Sequence, residues 1–319
     1  LETNNSVTER RYFGFNSDTG MHMSLSWENK LRKGMTKMNN IVLDVYGYRC
    51  LAKVFYHRNG EFKLQLPREK LQQLCAEQSK RIEVYFYFNM KWSEMVLAHL
   101  VAELRLIGFS TVKLVCPYLP FGRADKPEKE DGCRRAIILT FFKMLKKIGI
   151  NEIATYDFHL GNQGDSVEGI PFKNISFSEA FKDEIAAISR WHNKDKFLVF
   201  APDSGAADRA RQTYNMLSYY LPSNPLFCKH MVFAKRRTKD GLQLYGLNEY
   251  ASNPSYQERI CIIVDDMIDS GKTILAAIEK VREFKPKKIY VLVTHLLNDE
   301  FKAPDGVEFM WKFDSVQEA

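Results

Sequence analysis

The feature that most restricts the fold of this chain is an alternation, sustained from Ile41 onward, of short β-rich apolar runs with segments whose apolar residues recur every three or four positions. Each strand must find backbone partners, and an intervening helix supplies the crossover that a parallel neighbour requires, so the pattern predicts an α/β chain. In the first half the expected strands are residues 41–45, 82–88, 112–116 and 152–156. Helices are expected over 95–107 and 136–148, closed by Gly108 and Gly149 in the role glycine plays after a last helical turn. In the second half, Ser178 is expected to cap a helix running to Ile188, followed by a strand at 197–200 and a helix at 206–217. Strands at 231–234, 260–264 and 288–293 enclose a last helix at 273–284.

The halves repeat one grammar. The economical reading is two tandem domains, 41–177 and 178–319, each a mainly parallel sheet covered on both faces by helices. Residues 1–40 are polar and lack a helical or strand period, so they read as a flexible extension, and a start at Met35 or Met38 fits the first strand-like run. At 319 residues and 45% apolar, the chain can bury cores of this size. No run reaches the roughly 18 to 20 apolar residues of a membrane helix, and no signal peptide opens the chain; a cytoplasmic protein is expected. Six cysteines, at 50, 75, 116, 133, 228 and 261, stand singly, which argues against a zinc ligand set or a disulfide framework. The excess of 46 Lys and Arg over 39 Asp and Glu suits phosphorylated small molecules; without aromatic interleaving it does not point to nucleic acid.

Ligands of such sheets gather at the carboxyl ends of strands. There the sequence places Val264-Asp265-Asp266-Met267-Ile268-Asp269-Ser270-Gly271-Lys272-Thr273. The turn at 269–273 opens a helix, and its backbone N–H groups, two hydroxyls and helix dipole suit a phosphate monoester. Asp265 and Asp266 can accept hydrogen bonds from a sugar diol or hold a metal through water. A Walker A loop is excluded, because Asp266 stands where that motif requires glycine. The plain alternative is a strand end followed by a turn.

This run resembles the phosphoribosyl-pyrophosphate motif of the type I phosphoribosyltransferase fold, and the surrounding segments resemble, in order, those of the ribose-phosphate diphosphokinases. His57-Arg58-Asn59-Gly60-Glu61 is similar to that family's adenine-holding loop, with His57 in place of Phe, although Asn-Gly is equally a hairpin signal. Pro117-Tyr118-Leu119-Pro120-Phe121-Gly122-Arg123-Ala124-Asp125-Lys126 is similar to its ATP-phosphate segment, with Ala124 in place of Gln. Asp157-Phe158-His159 resembles Asp-Leu-His and is followed by the polar run Gly161-Asn162-Gln163-Gly164. Ala201-Pro202-Asp203-Ser204-Gly205-Ala206-Ala207-Asp208-Arg209 resembles Ser-Pro-Asp-x-Gly-Gly-x-x-Arg, although an ordinary helix cap uses the same residue types. The cations of Ala234-Lys235-Arg236-Arg237-Thr238-Lys239-Asp240-Gly241 are, alone, surface charge; in this series they resemble the mobile catalytic loop of the synthetases.

The resemblance implies pyrophosphoryl transfer from magnesium-ATP to ribose 5-phosphate, in a homo-oligomer built from dimers, in some cases a hexamer. It implies catalytic roles for Lys235, Arg237 and His159, ATP contacts from His57, Asn59, Glu61, Arg123, Asp125 and Lys126, and magnesium at His159 and Asp203. Asp265, Asp266, Asp269, Ser270, Gly271, Lys272 and Thr273 would hold the ribose phosphate. Gly271-Lys272-Thr273 is closer to purine phosphoribosyltransferases, which keeps a transferase open; the altered positions His57, Ala124 and Lys272 keep open an acceptor such as ADP-ribose, and the resemblance also admits a catalytically silent regulatory relative.

Overall fold

The structure, a computed structural model, describes residues 40–88, 90, 92–122, 134–159, 164–221, 228–238, 241–298 and 300–314. The expected extension up to residue 39, the ATP-phosphate residues Arg123, Asp125 and Lys126, the run 161–163, and Lys239 with Asp240 lie outside the described residues.

The first half contributes β1 (Asn40–Val45), β2 (Tyr48–Tyr56), β3 (Phe62–Gln65), α1 (Arg68–Glu77), β4 (Arg81–Tyr85), α2 (Ser93–Ile107), β5 (Thr111–Val115), α3 (Arg134–Lys147), β6 (Glu152–Tyr156), β7 (Ser166–Val167) and β8 (Ile170–Ile175). They form one sheet in the order β3-β2-β1-β4-β5-β6-β8-β7. Its centre, β4-β5-β6-β8, is parallel, whereas β1 runs antiparallel to β4 and β2, and β2 to β3. Gly108 closes α2 with φ +117°, its N–H donating to the carbonyls of Leu104 and Arg105.

Helical cover on both faces was the expectation for this sheet; among the described residues its helices lie on one face. Leu71 of α1, Val96, Leu100 and Leu104 of α2, and Phe142 and Leu145 of α3 share a single core with Ile82, Val84, Val112 and Leu114. Strand side chains alternate, so the other face carries the polar set. There Asp44, Glu83, Lys113 and Glu152 stand in register across β1, β4, β5 and β6. Arg49 pairs with Asp44 at 2.7 Å, Lys113 with Glu83 at 2.8 Å, and Arg81 with Glu152 at 2.7 Å.

The second half contributes α4 (Phe177–Ala180), α5 (Lys182–Trp191), β9 (Phe197–Ala201), a 3₁₀ turn (Ser204–Ala206), α6 (Ala207–Tyr220), β10 (Cys228–Val232), β11 (Ala234–Thr238), β12 (Gly241–Tyr245), α7 (Asn248–Ser252), β13 (Ile260–Ile268), α8 (Lys272–Arg282), β14 (Lys288–Leu296) and β15 (Val307–Asp314). Its sheet, β10-β9-β13-β14-β15, is parallel throughout. Here the apolar runs are continuous and both faces are buried. Phe197, Val199, Ile262 and Val264 pack with Ile185, Ile188 and Leu217 of α5 and α6, while Leu198, Phe200, Cys261 and Ile263 pack with Ile274, Ile278 and Val281 of α8.

Three boundaries differ from expectation. Ser176, not Ser178, caps the helix, accepting from the N–H of Glu179, and a break at buried Phe181 divides α4 from α5. Residues 234–238 do not continue the preceding strand but form, with β12, a separate antiparallel ribbon. Strand β13 runs on through Asp265 and Asp266 to Ile268, because β14 extends alongside it to Leu296.

Candidate active site

Because β13 does not stop at Val264, pleating sends Asp265 and Asp266 to opposite faces. Asp266 is buried, and its Oδ2 lies 2.5 Å from His159 Nδ1 and 3.6 Å from Arg209 Nη2. Burial pushes its carboxyl pKa up, but the His159 hydrogen bond and the Arg209 charge outweigh that and hold it well below the usual carboxylate range. Asp266 is therefore the anion, and Nδ1 of His159 carries the proton it donates. Asp265 is pushed the other way, first by burial and then by the charge of Asp266, with Arg209 opposing. Its Oδ1 accepts the backbone N–H of Asp266 at 3.0 Å. Two adjacent carboxyls are thus shifted in opposite directions.

Arg209, on the first turn of α6, lies behind this pair. Its Nε donates to both oxygens of Asp157 at 2.9 Å and its Nη1 to the Gly205 carbonyl at 3.0 Å. Asp157 follows β6 with φ +45° and accepts a third hydrogen bond, 2.7 Å, from Thr294 of β14. Beside it His295, kept below its ordinary pKa by burial, bonds through Nε2 to the Tyr156 carbonyl at 3.0 Å.

On the other side of the acid pair, the end of β9 leads into Asp203, whose Oδ1 accepts the Gly205 N–H at 2.9 Å. Lys235, on β11, donates to Asp203 Oδ2 at 2.7 Å and to Thr273 Oγ1 at 3.1 Å. Burial raises the Asp203 pKa, yet Lys235 brings it below its ordinary value. Residues 203, 235 and 273, read separately from the sequence, meet at one ammonium group. Gly271 caps α8 with φ +74°, and a Cβ on it would lie 2.6 Å from the Phe301 ring, so glycine alone fits. Asp269, Ser270 and Lys272 are exposed at the same turn.

Not every expected residue joins this cluster. His57, Asn59 and Glu61 are exposed on the β2–β3 hairpin, where the His57 N–H donates to the Glu61 carbonyl at 2.7 Å and the Glu61 N–H to Asn59 Oδ1 at 3.2 Å. Arg237 is placed on β11, but its side chain lies outside the described residues. Asp157, Arg209 and Thr294 were not expected as site residues. The first two stand in quoted motifs, which say nothing of their pairing, and Thr294 has no sequence signal.

Among the described residues no three His, Cys, Asp or Glu side chains cluster as a metal site. Magnesium needs no such cage, since it keeps waters and takes one or two carboxylates together with substrate phosphates. Asp203 fits that role, because its carboxylate already holds a cation, the Lys235 ammonium. His159 fits it less directly, with Nδ1 committed to Asp266. A cleft of about 720 Å³ is lined by residues of both halves, among them Asp157, His159, Lys173, Gly205, Arg209 and Gln212. The turn 269–273 is not part of its lining.

The chain is similar to known proteins. Residues 172–313 match the family model of the phosphoribosyl transferase domain. The ribose-phosphate pyrophosphokinase of Ureaplasma parvum serovar 3 is 28% identical over 214 residues, 65% of this chain and 57% of that protein. That of Pyrococcus abyssi is 26% identical over 247 residues, covering 74% of this chain and 76% of its own. The chain thus spans little more than half of the Ureaplasma relative and about three quarters of the Pyrococcus one. The crystal structure of phosphoribosylpyrophosphate synthetase from Mycobacterium smegmatis superposes with a TM-score of 0.58 at 18% identity, covering 82% of this chain and 85% of that one, which establishes the shared fold.

Proposed function

We propose that this chain, similar to ribose-phosphate pyrophosphokinases over much of its length, belongs with them and transfers pyrophosphate from magnesium-ATP to the anomeric hydroxyl of ribose 5-phosphate. The observation that carries this reading is the meeting of Asp203, Lys235 and Thr273 beside the acid pair, a cation poised between a carboxylate and a phosphate-type turn.

In this reading the 269–273 turn receives the 5-phosphate on its backbone N–H groups, with Asp269, Ser270, Gly271, Lys272 and Thr273 around it. Asp265, on the face away from Asp266, orients the sugar diol, while Asp266 holds His159 beside it. The anomeric oxygen attacks the β-phosphorus of ATP, the bond from that phosphorus to the α,β-bridging oxygen breaks, and AMP leaves with it. No enzyme nucleophile is needed; alignment and charge carry the reaction. Lys235 exchanges its contact with Asp203 for the oxygens of the transferred group, joined there by Arg237. His159, its ring held by Asp266, faces the cleft that would take the nucleotide phosphates. Asp203, with His159 near it, would hold magnesium, whose charge would offset that of the phosphates. Arg123, Asp125 and Lys126 would add ATP contacts, and the exposed hairpin with His57, Asn59 and Glu61 would serve adenine in a neighbouring copy of a dimer-based homo-oligomer. No helix among the described residues is long and apolar enough to cross a membrane.

Incubation with ATP, magnesium and ribose 5-phosphate should release AMP; release only with ADP-ribose would move the acceptor, and none with any sugar phosphate would refute the reading. The match to a phosphoribosyl transferase domain favours one further arm, base transfer from phosphoribosyl pyrophosphate without ATP. Lys235→Ala should lower kcat by about 100- to 1,000-fold while both KM values stay within about threefold, as expected for a charge used mainly in the transition state.

A further inference from the structure

We infer that Arg209 is a positioning residue: it ties Asp157, which follows β6 of the first sheet, to Asp266 on β13 of the second, and thereby fixes His159 relative to the acid pair. The inference rests on the proposed pyrophosphoryl transfer and adds a residue to it. Three charged side chains meet here with little exposure, 7% for Asp157, 9% for Arg209 and 5% for Asp266. Buried charges of this kind stabilise a fold no better than apolar packing, and often less well, so their use points to a required geometry.

The contacts say which geometry. Both Asp157 oxygens accept from Arg209 Nε at 2.9 Å, and Oδ2 also takes the Thr294 hydroxyl at 2.7 Å. Donors from α6 and β14 of the second sheet thus converge on one carboxylate from the first. The positive φ of Asp157, +45°, is uncommon for a side chain with a Cβ, and these two donors hold it. Through Nη2 the same guanidinium faces Asp266 Oδ2 at 3.6 Å, the oxygen that His159 Nδ1 meets at 2.5 Å. Asp157 and His159 are two residues apart on one chain segment, while Arg209 and Asp266 belong to the other half, so the loop Asp157–His159 is held at both ends. A planar fork can serve two carboxylates at once, whereas a lysine ammonium delivers a point charge.

The test compares the full-length parent with Arg209→Lys and Thr294→Val, the second a near-isosteric change that leaves every charge in place. Misplacing reacting groups by about 1 Å costs on the order of 100-fold, so Arg209→Lys should lower kcat by that factor, and Thr294→Val by about fivefold, with both KM values within about threefold. Guanidinium ion added to Arg209→Ala should restore part of the lost turnover. A lowered melting temperature with kcat unchanged, or a raised KM at constant kcat, would overturn the inference. If the lysine variant does not fold, Thr294→Val decides. A parent that releases no AMP refutes the reading of function, and the inference is then judged by crystal structures of the variants. There the His159–Asp266 contact should open, and an unmoved contact in both variants would overturn it.

Discussion

The two sheets solve the same problem differently. In the second, strands such as Phe197–Ala201 are buried along their whole length and sandwiched by helices. In the first, burial alternates along β4 and the uncovered face carries cross-strand ion pairs. A sheet closed on both sides gives its strand ends a low-dielectric setting, where a carboxyl's pKa moves with its partners, up for Asp265 and down for Asp266. The polar face of the first sheet keeps its charges only partly exposed and pairs them across strands. The proposed ribose-phosphate turn and the cation at Asp203 both belong to the closed sheet, while the open one supplies Asp157 and His159 at the seam.

The sharpest way to break this contrast is Ile262→Asp. An unpaired carboxylate in the closed sheet should cost more than about 5 kcal/mol, enough to remove the cooperative unfolding transition in circular dichroism. Next, Gly271→Ala should cost roughly 2–4 kcal/mol, combining a left-handed backbone with overlap on Phe301, and should depress activity through the displaced turn. Urea midpoints and AMP release check both effects.

Smaller and dependent on pH is Asp265→Asn. The raised pKa of Asp265 means that its stability contribution is full below the unfolded value of about 3.9 and is lost as pH rises through the folded value. The asparagine variant should therefore gain on the parent in urea midpoint between pH 5 and pH 8. Asp266 has the opposite sign: its contribution is present above about pH 3.9 and is lost as pH falls through its depressed folded value, adding to acid unfolding. An Asp265→Asn advantage that shrinks with rising pH would contradict the assigned split. Smallest of all, Lys113→Ala on the open face should change stability by about 0–1 kcal/mol, fading in high salt. A loss as large as that at Ile262 would show that the open face is not open.

Much of the site was legible because its pieces are local. Asp265 with Asp266 and Thr273 stand at a strand end and a helix start that chain periodicity marks, while Asp203 and Lys235 were singled out by the resemblance of their segments and its order. What could not be read was which groups pair. Arg209 meets Asp157 across 52 residues, and Thr294 meets the same carboxylate across 137. His159, expected beside metal, contacts Asp266 through Nδ1, a partner 107 residues away. The continuation of β13 through both acids was hidden for a similar reason, since it depends on the length of its neighbour β14.

From the sequence alone came the α/β order, the unbroken apolar runs that demand a sheet buried on both faces, and a glycine turn at a helix start suited to phosphate. These follow from residues within a few positions of one another, where pleat and helical pitch decide which side chains share a face. Only the tertiary structure decided that one sheet keeps a charged open face, that Lys235 bridges Asp203 and Thr273, and that Arg209 lies between two carboxylates from different sheets. Such pairings depend on how separate elements pack, and no local period encodes that distance.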